Sequence, residues 1–483
     1  MLNRCRRDRR GSFGGSAPAL VLIGFLALLG GCSRDRLQLD APTRLNASDG
    51  SGAPFSWAYY TSIAAQGDSV AAAWMGVAGA RNRNIELRQS SDGGKTWTPE
   101  TALNAGEFGD TISVVPKLVP LPSPGSLLAI WQARRNFAGQ KFILLRRSTD
   151  FGKSWTPVAR LNAKPQSFLP SVASRGDGNL LVAYSDERNI AHDVYANCSH
   201  DGGKTWLPED VRVDTEPRAE SDAPSVALGS DGHGYVLWEE GGKEGRRLLV
   251  AHSPDGGATW EAPRQVDPPG MPATAIWPSL VEAGGRLTAV WTGGIAGSAA
   301  KSWLWVSSSN DRGVTWSAPL TFYEGGTQPF FQTIAEGQHV YLVWHGGDSR
   351  NPGGIYFNAS DDGGATWRAP LNEPLRLDRD AQRALHPRLA VDGEHVAVTW
   401  QEEDKRVLLA VSTDGGRSWP DRPALVASTT EKDRLRYPQV ATSGGAAYVL
   451  WEDWADTEGM RKTLADVDKT APIDVYVRRA SLR

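Results

Sequence analysis

Hydrophobic and polar positions alternate along this chain in short runs, and the same order of runs recurs from one end to the other. A typical unit opens near a proline, as in Pro224-Ser225-Val226-Ala227, and a second apolar run ends on an aromatic residue. A third run leads into a polar turn, and a fourth run leaves it. Short β-rich runs separated by turn signals predict an all-β fold. The aromatic that ends the second run occurs at Trp74, Trp131, Tyr184, Trp238, Trp291, Trp344, Trp400 and Trp451.

The polar turn after the third run has a fixed sequence, Ser-x-Asp-x-Gly-x-(Ser/Thr)-Trp. A period in the range of 51 to 58 residues separates its aspartates and predicts a propeller or a solenoid. An aspartate can accept backbone hydrogen bonds within its own turn, and glycine supplies a positive φ. One active site does not need seven copies of its acid, so we interpret these aspartates as structural. They are Asp92, Asp150, Asp201, Asp255, Asp311, Asp362 and Asp414.

The eighth unit, from Tyr437 to Arg483, contains only three of the four runs before the chain stops. Its missing run is predicted at the other end of the sequence. The segment from Leu39 to Ala47 is similar to the fourth-run segment from Val158 to Ala163. If the N-terminal strand completes the last unit, the ring closes and no sheet edge stays exposed.

The repeated octapeptide resembles the Asp-box, or BNR, repeat of sialidases and related β-propellers, over about residues 50–483. The resemblance implies a propeller, and the repeat count predicts eight four-stranded antiparallel blades with the N-terminal strand closing the last. A seven- or six-bladed sialidase-like ring is the alternative, since sialidase enzymes resemble six-bladed rings. We expect residues 39–483 to form this single domain.

The first residues are expected to direct export. A basic start precedes an apolar run from Ala17 to Leu29, which is short for a membrane span and has the proportions of a signal-peptide core. The run ends in Leu29-Gly30-Gly31-Cys32, which resembles a bacterial lipobox. That resemblance implies a signal peptide over 1–31, lipidation of Cys32, a tether over 32–38, and a lipid-anchored location in the cell envelope at the outer membrane. An ordinary signal peptide or an uncleaved anchor is the competing interpretation.

Charge and cysteine content exclude some classes of partner. The chain carries 52 basic and 55 acidic residues, a net charge of −3, and it has no basic run, so nucleic acid is not an expected partner. Of three cysteines, Cys198 would be alone in the propeller, so no internal disulfide is available. We expect no cofactor and no metal site, because no second histidine stands at ligand spacing from His386.

The loops opposite the Asp boxes are where the family resemblance places ligands. Trp277, His386 and Tyr437 come just before first runs on one half of the ring, and a residue before proline is expected to be extended. Their rings could stack on sugar faces, or they could pack the channel mouth. A long polar segment from Glu452 to Pro472 is a candidate recognition loop on the same side.

Sialidases grip the substrate carboxylate with arginines and use a tyrosine nucleophile with a glutamate partner and an aspartate acid. By resemblance, Arg188, Arg350 and Arg434 would supply the guanidinium groups. Tyr437 would be the phenol, Glu452 its partner and Asp186 the acid. Several of the arginines could instead pair with adjacent carboxylates. The Arg-Ile-Pro motif of sialidases is absent from the first unit, where Ala53-Pro54-Phe55 stands.

Three functions compete. The favoured one is an exported, lipid-anchored propeller that binds a glycan or an envelope protein on the face opposite the Asp boxes. The alternatives are an exo-α-sialidase or related glycoside hydrolase, and a non-catalytic assembly scaffold. Fold does not decide among them, and the missing arginine motif favours binding.

Overall fold

The structure is a computed structural model that describes most of the chain. The described residues contain no helix. The described residues are 37–46, 58–78, 82–104, 111–135, 139–242, 245–269, 271, 274–294, 301–326, 328–347, 353–371, 373–379, 383–429, 434–454 and 473–482. The predicted signal sequence, its lipobox and Cys32 lie outside them. Within the described residues there is no helix long and apolar enough to cross a membrane.

The strands pair in antiparallel groups of four, which we number as units in chain order. Unit 1 consists of β3 (Ala58–Gln66), β4 (Ser69–Ala78), β5 (Asn82–Ser90) and β6 (Thr101–Ala102). Unit 2 consists of β7 (Thr111–Pro120), β8 (Leu127–Arg135), β9 (Lys141–Ser148) and β10 (Ala159–Arg160). Unit 3 consists of β11 (Ser167–Ser174), β12 (Leu180–Asp186), β13 (Asp193–Ser199) and β14 (Val211–Arg212).

The next units repeat this order. Unit 4 consists of β15 (Ser221–Leu228), β16 (Gly234–Gly242), β17 (Gly245–Ser253) and β18 (Arg264–Gln265). Unit 5 consists of β19 (Thr274–Ala283), β20 (Arg286–Gly294), β21 (Ser302–Ser309) and β22 (Leu320–Gly325). Unit 6 consists of β23 (Phe331–Glu336), β24 (His339–Gly346), β25 (Gly354–Ser360) and β26 (Leu375–Arg376).

The remaining strands join the two ends of the chain. Unit 7 consists of β27 (Ala384–Asp392), β28 (His395–Glu402), β29 (Arg406–Ser412) and β30 (Ala424–Ser428). Unit 8 consists of β31 (Arg434–Ser443), β32 (Ala446–Trp454) and β33 (Ile473–Ser481), with β1 (Gln38–Leu39) and β2 (Thr43–Arg44) paired to β33.

These pairings confirm the all-β propeller class and the closure of the last unit by the N-terminal strand. By hydrogen bonding the strands form seven sheets, because one parallel pair, Arg83 with Ile112, joins units 1 and 2 into one sheet. Most first strands contact the first strand of the next unit, Lys117 of β7 donates a hydrogen bond to Pro170 of β11, and β3 contacts β31, so the first strands form a closed inner ring.

A buried Asx residue after the fourth strand fastens each of six units. Its side chain accepts the backbone N–H of a third-strand residue, as Asn162 does from Ile143 at 2.9 Å and Asp214 from Val194 at 2.9 Å. Asn46 does the same for Val475 of β33, at 2.7 Å. The N-terminal segment therefore takes the fourth-strand role in detail. The remaining cases are Asn104, Asp267 and Asp378.

Each Asp box is a self-contained hydrogen-bonded turn. In unit 3, Ser199 Oγ donates to Asp201 Oδ1 at 2.8 Å, and the N–H and hydroxyl of Thr205 donate to the same carboxylate at 2.9 and 2.7 Å. Burial raises the pKa of Asp201, but the bonds from Thr205 and Ser199 outweigh it and lower the pKa to about 2. The Asp201 carboxylate therefore accepts its hydrogen bonds from residues of its own turn, as a structural group does.

The Asp boxes lie at one end of the units. The beginnings of the first strands lie at the opposite end. In unit 7 the residue that opens the box, Ser412, pairs with Val396 at the start of β28, whereas Gln401, near the end of β28, pairs with Leu385. We call the side of the Asp boxes the box face. We call the opposite side the bulge face, because the first strands carry β-bulges there. Gln38 pairs with Ser481, which also pairs with Ala446, so the described chain begins at the box face.

Candidate ligand site at the first-strand bulges

In the part of the chain that the structure describes, seven first strands carry a bulge in which a residue other than glycine has a left-handed backbone. The bulged pair lies opposite the buried aromatic that ends the second strand: in unit 7, Leu385 pairs with Gln401 and Arg388 with Thr399, which leaves His386 and Pro387 opposite Trp400. Proline fits a bulge because it has no N–H to lose from the ladder. The left-handed residues, which we call the bulge residues, are Tyr60, Val115, Leu169, Ala223, Trp277, His386 and Tyr437, with φ between 48° and 56°.

This geometry corrects two expectations. The bulge residues lie within the first strands and not just before them. They are also left-handed, although a following proline favours an extended backbone. Such conformations cost about 1–3 kcal/mol each and persist only where the surroundings over-determine them, so seven equivalent ones mark a shared constraint. The described residues of unit 6 show no such bulge, and Gln328, before β23, instead donates Nε2 to Thr292 Oγ1 at 3.3 Å.

The constraint is visible in the backbone N–H of the bulge residues. Trp277 N–H donates to Glu239 Oε2 at 3.1 Å, and Tyr437 N–H donates to Gln401 Oε1 at 2.9 Å. Each acceptor belongs to the preceding unit and directly follows its second-strand aromatic. A buried side chain of one unit thus holds the strained residue of the next, and the constraint lies at the interface between units.

The left-handed backbone places large side chains in solvent on the bulge face. Trp277 is 61% exposed, Tyr60 55% and Tyr437 38%, whereas the second-strand tryptophans are buried. Leu169 is 48% exposed at the same position in unit 3. Aromatic rings held on a rigid backbone offer flat apolar surface with a polar handle, which is the chemistry that stacks on sugar rings.

Around Tyr437 the bulge residues form a cluster. The ring centroids of His386 and Tyr437 are 5.1 Å apart. Beneath them, Gln401 Nε2 donates to Asp404 Oδ1 at 2.6 Å, and Arg436 donates to Asp404 Oδ2 at 2.8 Å. Asp404 belongs to a tight turn whose central residues, Glu403 and Asp404, are both left-handed, which costs further strain. The cluster is therefore a preorganised surface spanning units 7 and 8.

Glu452 lies next to this cluster but is committed to structure. Its carboxyl group is buried, accepts Trp454 Nε1 at 2.9 Å, and accepts the backbone N–H of Tyr60 across the closure of the ring. Burial raises its pKa to about 8 despite these bonds. At neutral pH Glu452 is thus mostly protonated, and a protonated group cannot take the proton of a phenol.

Burial also raises the pKa of Tyr437, and the nearby Glu452 adds to the rise while Arg436 opposes it. A nucleophilic phenol needs the opposite shift or an adjacent base. No hydrogen bond joins the Tyr437 hydroxyl to Glu452 among the described residues. The structure brings the two residues together, but burial raises the pKa of both, and Glu452 further disfavours ionisation of Tyr437.

Asp186 and Arg188, which the sequence suggested as the acid and as a ligand of the substrate carboxylate, are paired with each other inside unit 3. This corrects that expectation. Asp186 is fully buried and accepts Arg188 Nε at 2.7 Å and a second guanidinium nitrogen at 2.8 Å. Arg188 also bonds Asp210, and its guanidinium lies 3.9 Å from the Tyr195 ring centroid. With two carboxylates and a ring around it, Arg188 cannot offer its fork to a substrate.

The other predicted site residues are scattered. Arg434 begins β31 and is exposed, and it pairs in register with Trp454. Arg350 and residues 455–472 of the predicted recognition loop lie outside the described residues. Trp277 is on unit 5, away from the cluster of units 7 and 8. Of the predicted site residues that the structure describes, it therefore brings together His386, Tyr437 and Glu452.

Sequence reasoning missed Tyr60, because unit 1 has threonine where other units have the proline. The signal that could have found it is its spacing to Trp74, which matches the spacing from Tyr437 to Trp451. Gln401 and Asp404 were also missed, since nothing in their local sequence points to an inter-unit bond. Among the described residues, no group of three metal-ligating side chains converges.

Comparison with known proteins places this architecture in a family. The profile described as "BNR repeat-like domain" matches residues 57–230 and 235–449, most of the propeller. The chain belongs to the BNR repeat-like family. Membership accounts for the Asp boxes and the four-stranded units, and it places the protein among sialidase-like β-propellers.

Solved structures that this BNR repeat protein matches are similar to it at low identity. An α-L-arabinanase of Penicillium chrysogenum is 17% identical over 70% of this chain and all of its own, with a TM-score of 0.42. A Hadza microbial sialidase is 16% identical over 67% of this chain and 74% of its own, at 0.39. The endosialidase of phage phi92 is 12% identical over 92% and 69%, at 0.41.

Proposed function

We propose that this protein is a carbohydrate-binding BNR propeller that holds its ligand on the bulge face and does not cleave it. One observation carries the proposal. Tyr60, Trp277 and Tyr437 occupy the same position in different units and expose their rings on one face, on backbones that inter-unit hydrogen bonds hold in place. A preorganised aromatic surface loses little entropy when a sugar stacks on it.

The chemistry of the neighbouring groups favours binding over hydrolysis. An exo-sialidase needs an ionisable phenol, a base beside it and free guanidinium groups. Burial raises the pKa of Tyr437, Glu452 is occupied by Trp454 and Tyr60, and Arg188 is occupied by Asp186 and Asp210. A glycan or a glycan-bearing envelope partner is the ligand class that this surface fits.

The binding test is a glycan array followed by calorimetry on the best sugar. Trp277→Ala and Tyr437→Ala should each weaken binding about 10-fold or more, as expected when a stacked aromatic is removed. Leu169→Ala is the matched control, because it truncates the same bulge position without removing a ring. Equal binding by all variants would contradict the proposal, and an array with no binding would favour the scaffold.

A second assay separates binding from catalysis. Release of a fluorophore from a sialic acid glycoside by the wild type, and its loss in Tyr437→Phe, would establish a sialidase and overturn the non-catalytic part of the proposal. Retained glycan binding without release supports it.

We further propose that the protein is exported and anchored through a lipid on Cys32. The basic start, the apolar run and the lipobox-like residues before Cys32 support this. Because the described chain begins at the box face, a lipid a few residues earlier would hold that face towards the membrane and turn the bulge face outwards.

Metabolic labelling with a fatty acid tests the anchor, with Cys32→Ala as the unlabelled control. Label in Cys32→Ala, or its absence from the wild type, would contradict lipidation at this residue. A spin label at Gly353 lying nearer the bilayer than one at Lys204 would contradict the orientation.

A further inference from the structure

Directly after the bulge, or at the equivalent position of unit 6, most first strands carry a residue that bonds to the next unit. Ser62, Ser171 and Ser225 accept the backbone N–H of Leu118, Val226 and Leu280 of the following unit, at 3.0, 3.3 and 2.9 Å. Gln332 accepts that of Leu389 at 2.8 Å. The position therefore lies on the inner ring, where neighbouring first strands meet. The set is Ser62, Lys117, Ser171, Ser225, Ser279, Gln332, Arg388 and Gln439.

Two members of this set are cations, and none is an anion. Lys117 replaces the serine of neighbouring units and donates Nζ to the backbone carbonyl of Pro170 at 2.6 Å. Arg388 donates Nε to Gln439 Oε1 at 3.1 Å and stacks its guanidinium 4.5 Å from the Phe330 ring centroid. Both side chains are partly accessible. Within the described part of the chain, neither cation has a carboxylate within ion-pair distance.

Two acidic side chains buried near this face are paired with arginines. Glu239 contacts Arg246 at 2.8 Å, and Glu240 contacts Arg247 at 2.6 Å. A partly buried cation loses hydration that no ion pair replaces when it has no anion beside it, and this is costly. Burial alone lowers the pKa of Lys117 to about 8 and that of Arg388 to about 10, which is the direction for cations without an anion beside them. Within the described residues, the inner ring thus has no carboxylate beside Lys117 or Arg388 to balance their charge.

We propose that the inner ring binds anions at Arg388 and, separately, at Lys117, each cation being balanced by an oxyanion from solution or by the acidic group of a bound ligand. In the described structure, the terminal nitrogens of Arg388 donate to no protein acceptor, and a guanidinium edge binds carboxylate, sulfate or phosphate oxygens in pairs. Gln439 accepts the hydrogen bond from Arg388 Nε, and the Phe330 ring packs against the guanidinium plane. These two contacts fix the direction of the guanidinium edge that carries the terminal nitrogens.

His386 and Arg388 contact the same ring: the His386 centroid lies 5.7 Å from that of Phe330, and the Arg388 guanidinium lies 4.5 Å from it. The proposed anion site at Arg388 therefore adjoins the cluster of His386 and Tyr437 on the bulge face. An acidic sugar could place its ring on the aromatic surface and its anion at Arg388, but an inorganic oxyanion would satisfy the same chemistry alone.

The chain itself supplies the conservative variants. Lys117→Ser gives unit 2 the residue of units 1, 3, 4 and 5, and Arg388→Gln gives unit 7 the residue of units 6 and 8. Neither should disturb the fold, because the neighbouring first strands accommodate those residues. Without added oxyanion, the double variant should melt at the same temperature as the wild type or higher.

The experiment measures the melting temperature of the full protein against sodium sulfate, and separately against sodium glucuronate with glucose as its neutral control, at fixed ionic strength. Saturating oxyanion should raise the wild-type melting temperature by about 3 °C more than that of the double variant. The double variant corrects for the general stabilisation by sulfate.

The two arms identify the source of the anion. A shift with sulfate that the double variant loses supports a free oxyanion, and a shift with glucuronate alone supports an acidic ligand. The sulfate arm needs no glycan, so it remains informative if the proposed carbohydrate binding fails. Identical behaviour of wild type and double variant in both series would overturn the proposal.

Discussion

The backbone N–H of Tyr60, in unit 1, donates to the buried carboxyl group of Glu452, in unit 8. This bond crosses the closure of the ring, and it repeats the contacts of Trp277 with Glu239 and of Tyr437 with Gln401 between successive units. One contact therefore serves two purposes. It joins neighbouring units, and it keeps the bulge residue left-handed so that its side chain faces solvent.

Glu452 should make stability depend on pH. Its folded-state pKa is raised to about 8 by burial, so between pH 4.5 and 8 the folded state holds a proton that the unfolded chain has lost. Stability should therefore fall as pH rises through this interval, by about 1.4 kcal/mol per pH unit from this group. Glu452→Gln should remove that slope in denaturant titrations at pH 5.5 and 7.5. The exposed Glu373→Gln is the control, and an unchanged slope in Glu452→Gln would contradict the assignment.

Asn46 should be important for closing the ring. It is buried, accepts Val475 N–H at 2.7 Å and donates to the Ile473 carbonyl at 2.9 Å. Asn46→Ala leaves both backbone groups unsatisfied and should cost about 1–3 kcal/mol, measured by chemical denaturation. Asn46→Asp keeps the acceptor, as Asp214 does in unit 3, and should cost less. Equal losses in the two variants would argue against this bond as the closure.

Arg188 should behave as a structural residue. Arg188→Ala leaves Asp186 buried without its partner and should cost about 3–5 kcal/mol of stability, while the exposed Arg264→Ala should cost little. Glycan binding by the folded fraction of Arg188→Ala should match the wild type. Unchanged stability together with lost binding would instead restore the role in substrate recognition that the sequence suggested.

The strain at the bulges can be measured at Val115, a β-branched residue with φ 54°. Glycine adopts this φ without steric cost, so Val115→Gly should relieve strain that offsets the loss of the side chain, and unfolding free energy should change by less than about 0.5 kcal/mol. Val172→Gly, in the first strand of unit 3 with an ordinary φ, should cost about 1 kcal/mol or more by the same denaturation. A larger loss at Val115 would show that its strain is small.

The sequence by itself determined the repeat. The Asp boxes, the aromatic after each second strand and the likeness of Leu45-Asn46 to Leu161-Asn162 follow local rules of turns, alternation and burial, so the four-stranded unit and its completion by the N-terminal segment could be predicted. These are contacts within one unit, where the partners stand at fixed distances along the chain.

Contacts between units were decided by the tertiary structure. The left-handed φ of Tyr437 opposes the local preference of a residue before proline and exists because Gln401 of the preceding unit accepts its N–H. Arg188 turned inwards because Asp210 lies within reach, and Glu452 faces Tyr60 because the ring closes there. A charged side chain chooses among partners by three-dimensional distance and desolvation, and neither quantity is written in local sequence.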